Sequence, residues 1–120
     1  MSETISEDVL RTKVSKLQAK ELIILKFTAD WCGPCKKIKD TCTRFEQVKP
    51  KSIQYYEIDI DDSIELYMKL KKMKMINGIP ALLAYTNSSK EHWYVPDKCH
   101  LGSEQAGVEL FFNECIKYVA

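Results

Sequence analysis

Apolar and polar positions fall into blocks along the chain, and the spacing within each block predicts an element. Val9, Leu10, Val14 and Leu17 recur at helical spacing, and Ser6 can cap the start, so a first helix is expected over about Glu7–Leu17. A short extended piece can precede it. Leu22–Thr28 is an almost unbroken apolar run with Lys26 inside it, which reads as a central strand buried on both faces. A helix follows Trp31 and runs to about Val48, with Cys35, Ile38, Cys42 and Phe45 at spacings of three and four, until Pro50 stops it. Ile53–Ile60 alternates well enough for a second strand.

Asp61-Asp62-Ser63 can start a third helix reaching about Met75, with Ile64, Leu66, Tyr67, Leu70 and Met73 on its apolar side. Ile79–Tyr85 reads as a strand entered through Pro80. Asn87-Ser88-Ser89 is a turn and His92–Val95 a partner strand, which together predict a β-hairpin. Ser103 can cap a last helix, where Val108, Phe111, Phe112, Cys115, Ile116 and Val119 form one stripe. The order is βαβ, then a helix, a hairpin and a terminal helix. The right-handed crossover rule makes a mixed central sheet of four or five strands, flanked by about four helices, the best arrangement.

Composition narrows the class. The 120 residues are 45% apolar and 29% charged, the balance of one ordinary globular domain spanning 1–120. A net charge of +1 argues against nucleic acid or a membrane surface as the main partner. No run of 18 apolar residues is present, so no membrane span is expected. Met-Ser-Glu-Thr-Ile-Ser-Glu-Asp lacks the basic and apolar parts of a signal peptide. A reducing, cytoplasmic compartment is the expectation, and it suits five cysteines that cannot all pair internally.

The chemistry lies where the first strand hands over to a helix, in Trp31-Cys32-Gly33-Pro34-Cys35-Lys36. Two sulfurs at this spacing can alternate between dithiol and disulfide. Cys32, at the helix start, should be exposed, with its thiolate favoured by unpaired backbone N–H groups. It can attack a substrate disulfide, and Cys35, one turn further in, can then resolve the mixed disulfide. Gly33 allows close approach, Pro34 has no N–H to lose in the first turn, and Trp31 offers a flat apolar surface beside the nucleophile. A bare C-x-x-C is also half of a zinc site. Its second half would have to come from His92, Cys99 and His100, whose spacing makes joint chelation awkward. A merely structural cysteine pair is the other competing reading. The βαβ context favours redox chemistry over both.

Phe27-Thr28-Ala29-Asp30-Trp31-Cys32-Gly33-Pro34-Cys35-Lys36 resembles the active site of the thioredoxin family. Gly78-Ile79-Pro80 resembles that family's second landmark, a loop with a cis-proline facing the dithiol, and Asp59-Ile60-Asp61 matches its strand end before the third helix. The likeness covers about residues 20–85. It implies a thioredoxin fold and reduction of disulfide-containing protein substrates by Cys32 and Cys35. It also implies a cis bond before Pro80, and a substrate surface made by Trp31, Ile79 and Pro80. Recharging would come from a thioredoxin reductase, with NADPH upstream and no cofactor or metal bound by the chain itself. The active form would be a monomer.

Three departures from the family pattern stand out. Where the family usually has a buried Asp, six residues before the first cysteine, this chain has Lys26, and the partner position, usually Lys, is Glu57. An exchanged, partly buried ion pair near Cys35 is expected, Lys26 favouring the Cys35 thiolate and Glu57 able to accept its proton. The alternative is that both reach solvent at strand edges and pack only their stems. Asp40 replaces a helix-kinking proline, so that helix should be straighter. Asp61–Pro80 is about one helical turn longer than usual and holds Lys69, Lys71, Lys72 and Lys74, which read as a solvated face or a dock for acidic partners.

Val95–Gly102 reads as an insertion that puts Cys99 in a polar loop, either a reactive extra thiol or an unused exposed one. Cys42 and Cys115 read as core residues. Two functions remain open from sequence. One is a dithiol reductant; the other is a binding module of the same fold, docking one partner, with regulatory redox chemistry.

Overall fold

The computed structural model describes residues 4–88 and 90–120. Its elements, in chain order, are α1 (Glu7–Ser15), β1 (Leu22–Thr28), α2 (Gly33–Lys37), α3 (Lys39–Val48), β2 (Ile53–Asp59), α4 (Ile64–Lys72), β3 (Ala81–Tyr85), β4 (Lys98–Leu101) and α5 (Gln105–Val119). The sheet runs β2-β1-β3-β4, with β1 parallel to β2 and antiparallel to β3, and β4 antiparallel to β3. This is the mixed, four-stranded α/β arrangement that the apolar blocks predicted.

β1 is central because almost every side chain in it is buried. Successive residues of a strand point to opposite faces, and the two cores divide accordingly. Ile23, Leu25 and Phe27 pack with Leu10 and Val14 of α1 and with Leu66, Tyr67 and Leu70 of α4. Leu22 and Ile24 pack with Cys42 and Phe45 of α3 and with Val108, Phe111, Phe112 and Cys115 of α5. Phe45 and Phe112 stack with centroids 4.0 Å apart, locking α3 to α5. Each buried Val, Leu, Ile or Phe among these contributes about 1.5–3 kcal/mol through removal of apolar surface from water.

Several expectations need correction. The helix after Trp31 is not straightened by Asp40; it breaks at Ile38, whose backbone sits at φ −107°, ψ 2°. Packing requires the break. Cys35 joins the core on the α1 and α4 side, whereas Ile38, Cys42 and Phe45 bury on the other. One continuous stripe could not serve both.

His92–Val95 is not a strand, and no hairpin closes there. The strand pairing with β3 is Lys98–Leu101, in register Leu82↔His100 and Leu83↔Cys99. The aromatic run instead folds over the sheet end: the Tyr85 hydroxyl donates to the Tyr94 carbonyl at 2.9 Å, and Trp93 and Tyr94 pack against the first core. Of the expected Asn87-Ser88-Ser89 turn, Ser89 lies outside the described residues.

Helix ends also move. α1 stops at Ser15, and Val9 is exposed. α4 ends at Lys72 rather than Met75, and Ile64 is exposed. α5 is capped by Glu104 without a side-chain bond, not by Ser103. The Ser6 cap is present, its Oγ accepting from Val9 N–H at 3.2 Å. Gly107 of α5 leaves room for the His100 ring, into which any Cβ would collide.

Candidate active site

The site forms where three strands deliver their ends to one rim. β1 finishes at Thr28, and residues 29–31 turn directly into α2. Cys32 is the residue before the first helical position, not the first itself. Its N–H bonds Ala29 O at 3.1 Å, and its Sγ accepts from Cys35 N–H at 3.1 Å. Pro34 falls in the first turn, where no N–H is needed. Cys32 and Cys35 are joined in a disulfide with Cα atoms 5.3 Å apart.

Cys32 is buried rather than exposed as expected, with 4% of its surface accessible. The reason is local. In the capping position its sulfur folds back over the first turn toward Cys35 and joins the core on the α1 and α4 side. Exposure at the rim comes from its neighbours Trp31, Gly33 and Pro34.

Trp31 is 66% exposed yet held, its indole Nε1 donating to Asp61 Oδ2 at 3.0 Å. Asp61 is in turn fixed by its own N–H to Asp59 Oδ1 at 2.8 Å. Sequence reasoning missed Asp61 as a site residue. The signal lies in register: Thr28 pairs with Asp59, and Ile60 N–H bonds Thr28 O at 2.9 Å, so both strand ends meet.

The third strand brings the proline. Phe27 pairs with Ala81, which places Pro80 beside the end of β1. The Ile79–Pro80 bond is cis. Ile79 packs against the core that contains Cys32 and Cys35, and Pro80 O accepts from Gly102 N–H at 3.0 Å.

Lys26 and Glu57 face each other across β1 and β2, Nζ to Oε1 at 3.2 Å. Lys26 is 2% exposed and Glu57 31%, so the ammonium is buried and the carboxylate opens outward. Together with Cys35, Lys36, Lys39 and Asp30 they line a cleft of about 100 Å³. Below them Cys42 is buried, and its thiol is raised above the ordinary value by desolvation, with Lys26 pulling it down and Glu57 pushing it up. The Tyr55 hydroxyl beside Cys42 is likewise raised, mainly by burial.

The remaining thiols separate cleanly. Cys115 is in the core, pushed up to about 12 by desolvation. Cys99 is exposed, but on the edge strand β4 and not in a loop. His100 lies next to it on the same strand, with Nε2 3.5 Å from Glu104. His92 is in the connection before β4. Among the described residues no group of three or more His, Cys, Asp or Glu side chains is arranged to hold a metal. Nor is any described helix long and apolar enough to cross a membrane.

Comparison with known proteins agrees with this geometry. The thioredoxin family model matches residues 2–100. Thioredoxin-1 of Saccharomyces cerevisiae is 28% identical over 76 residues, covering 63% of this chain and 69% of its own. A thioredoxin of Ophiophagus hannah is 32% identical over 82 residues, 68% of this chain and 72% of its own. The solved structure of Plasmodium falciparum thioredoxin superposes with a TM-score of 0.70 at 22% identity, covering 95% of this chain and 98% of that one. With a disulfide-forming C-x-x-C pair at a strand-to-helix junction and a family match over most of its length, the chain belongs to the thioredoxin family of dithiol–disulfide oxidoreductases.

Proposed function

We propose that this chain reduces protein disulfides through a mixed disulfide on Cys32, acting as one monomeric domain in a cytoplasmic setting. The observation that carries the reading is the Cys32–Cys35 disulfide set in the first turn of α2, beside exposed Trp31. The Cys32 thiolate attacks one sulfur of a substrate disulfide, forming the mixed disulfide and releasing one substrate thiol. The Cys35 thiolate then attacks Cys32 Sγ, freeing the second substrate thiol and closing Cys32–Cys35. Two electrons and two protons pass to the substrate. A thioredoxin reductase drawing on NADPH would return them.

Trp31, Ile79 and Pro80 form the substrate rim in this reading. Trp31 supplies area, Pro80, buried and without an N–H, presents the neighbouring backbone, and Gly33 admits an extended segment closely. Lys26 and Glu57 act on Cys35 through the cleft they share with it. The ammonium favours the thiolate, and the half-open carboxylate takes the proton released before resolution.

A trapping experiment tests the reading. Cys35→Ser should accumulate substrates bound through Cys32, and Cys32→Ser should abolish turnover of a protein disulfide such as that of insulin. Recovery of no mixed disulfides, with turnover surviving in Cys32→Ser, would overturn it.

A further inference from the structure

The outer face of α4 carries features that its own folding does not require. Leu66, Tyr67 and Leu70 bury the helix against the sheet. On the opposite side Ile64 and Met68, four residues apart and thus on one stripe, are 49% and 52% exposed. A shallow groove of about 790 Å³ continues this stripe, lined by Met68, Lys69, Lys71, Lys72 and Met73. From Met68 to Met75 the chain holds four lysines and no acid, although its net charge is only +1.

Lysines in a last turn stabilise a helix through its dipole, which accounts for Lys69, Lys71 and Lys72. Lys69 is also held by Glu7 of α1 at 2.8 Å. Neither point explains Lys74. It stands just beyond the helix at φ 65°, where glycine is the favoured residue. Its side chain is exposed there, so its charge extends the basic end of the face. Exposed methionine adds a second signal, because its flexible thioether adapts to varied apolar partners.

We propose that this face docks an acidic amphipathic segment of a partner protein. Its apolar side chains would cover Ile64 and Met68, and its carboxylates would meet Lys71, Lys72 and Lys74. Charge complementarity selects this occupant. An anionic bilayer fits less well: α4 has nine residues, exposes no Trp or Phe, and carries exposed Glu65 at its other end. Docking here needs no thiol and is independent of the disulfide chemistry.

The test is fluorescence anisotropy with a labelled helical peptide of roughly four turns, Leu at i, i+4 and i+7 and Glu elsewhere. Saturable binding that weakens as salt rises is expected, unchanged in Cys32→Ser/Cys35→Ser. Lys71→Glu/Lys72→Glu/Lys74→Glu should lose about tenfold or more in affinity while reducing protein disulfides at the wild-type rate. Met68→Ser should lose about threefold or more. Absence of saturable binding, binding indifferent to the charge reversal, or preference for phosphatidylserine vesicles over the peptide would each overturn the proposal.

Discussion

Lys26 and Glu57 contribute unequally to stability, because one is sealed and the other half open. Removing Glu57 strands the buried Lys26 charge, whereas removing Lys26 leaves a carboxylate that water still reaches. Glu57→Gln is therefore expected to cost about 1–3 kcal/mol in urea unfolding of the oxidised protein, and Lys26→Met less than about 1 kcal/mol. The same Glu57→Gln variant tests the proton step. Its disulfide-reduction rate should follow a pH profile different from the wild type's, and an unchanged profile would remove Glu57 from the mechanism.

Trp31 shows how far residue-level reading extends. Its place beside Cys32 is plain in the sequence, but its partner Asp61 lies thirty residues on and is reached through strand register.

At the scale of elements, α4 ends in a motif its sequence disguises. Met75 N–H bonds Leu70 O at 2.9 Å and Lys74 N–H bonds Lys71 O at 3.0 Å, with Lys74 in the left-handed region. This Schellman closure satisfies terminal carbonyls and is usually built with glycine. Periodicity alone carried the helix on to Met75, because lysine there gave no stop signal. Lys74→Gly should stabilise the fold by about 0.5–1 kcal/mol, the relieved strain less the added chain entropy, read as a raised Tm.

β4 was hidden for a different reason. An edge strand with one wet face has little hydrophobic alternation, so Lys98-Cys99-His100-Leu101 was outranked by the more strand-like His92–Val95. The break in the helix after Cys32 was equally illegible, since no proline or glycine marks Ile38.

Across the whole molecule, the long connection from β3 to β4 is held chiefly by Asp97. Its carboxylate accepts from Thr86 N–H at 2.8 Å, from Lys90 Nζ at 2.8 Å and from the Ser88 hydroxyl, while its own N–H bonds Ala84 O. Burial alone would raise this acid, but the hydrogen bonds from Lys90, Ser88 and Thr86 hold it below the ordinary carboxylate value. A depressed acid stabilises the fold above its unfolded pKa, about 4, and the benefit fades as pH falls through the folded value. Asp97→Asn should cost about 1–2 kcal/mol near neutrality, and the gap between its urea midpoint and the wild type's should narrow as pH falls below about 4.

By itself the sequence determined the dithiol pair, the order of most elements and most of the apolar residues that fill the core, because a dithiol motif and apolar spacing are local properties. Tertiary structure decided the rest: the burial of Cys32, the break at Ile38, the tie of Trp31 to Asp61 and the choice of β4. Each of these depends on which distant residues share a face or a rim. Sheet register sets that, and packing of the two cores enforces it.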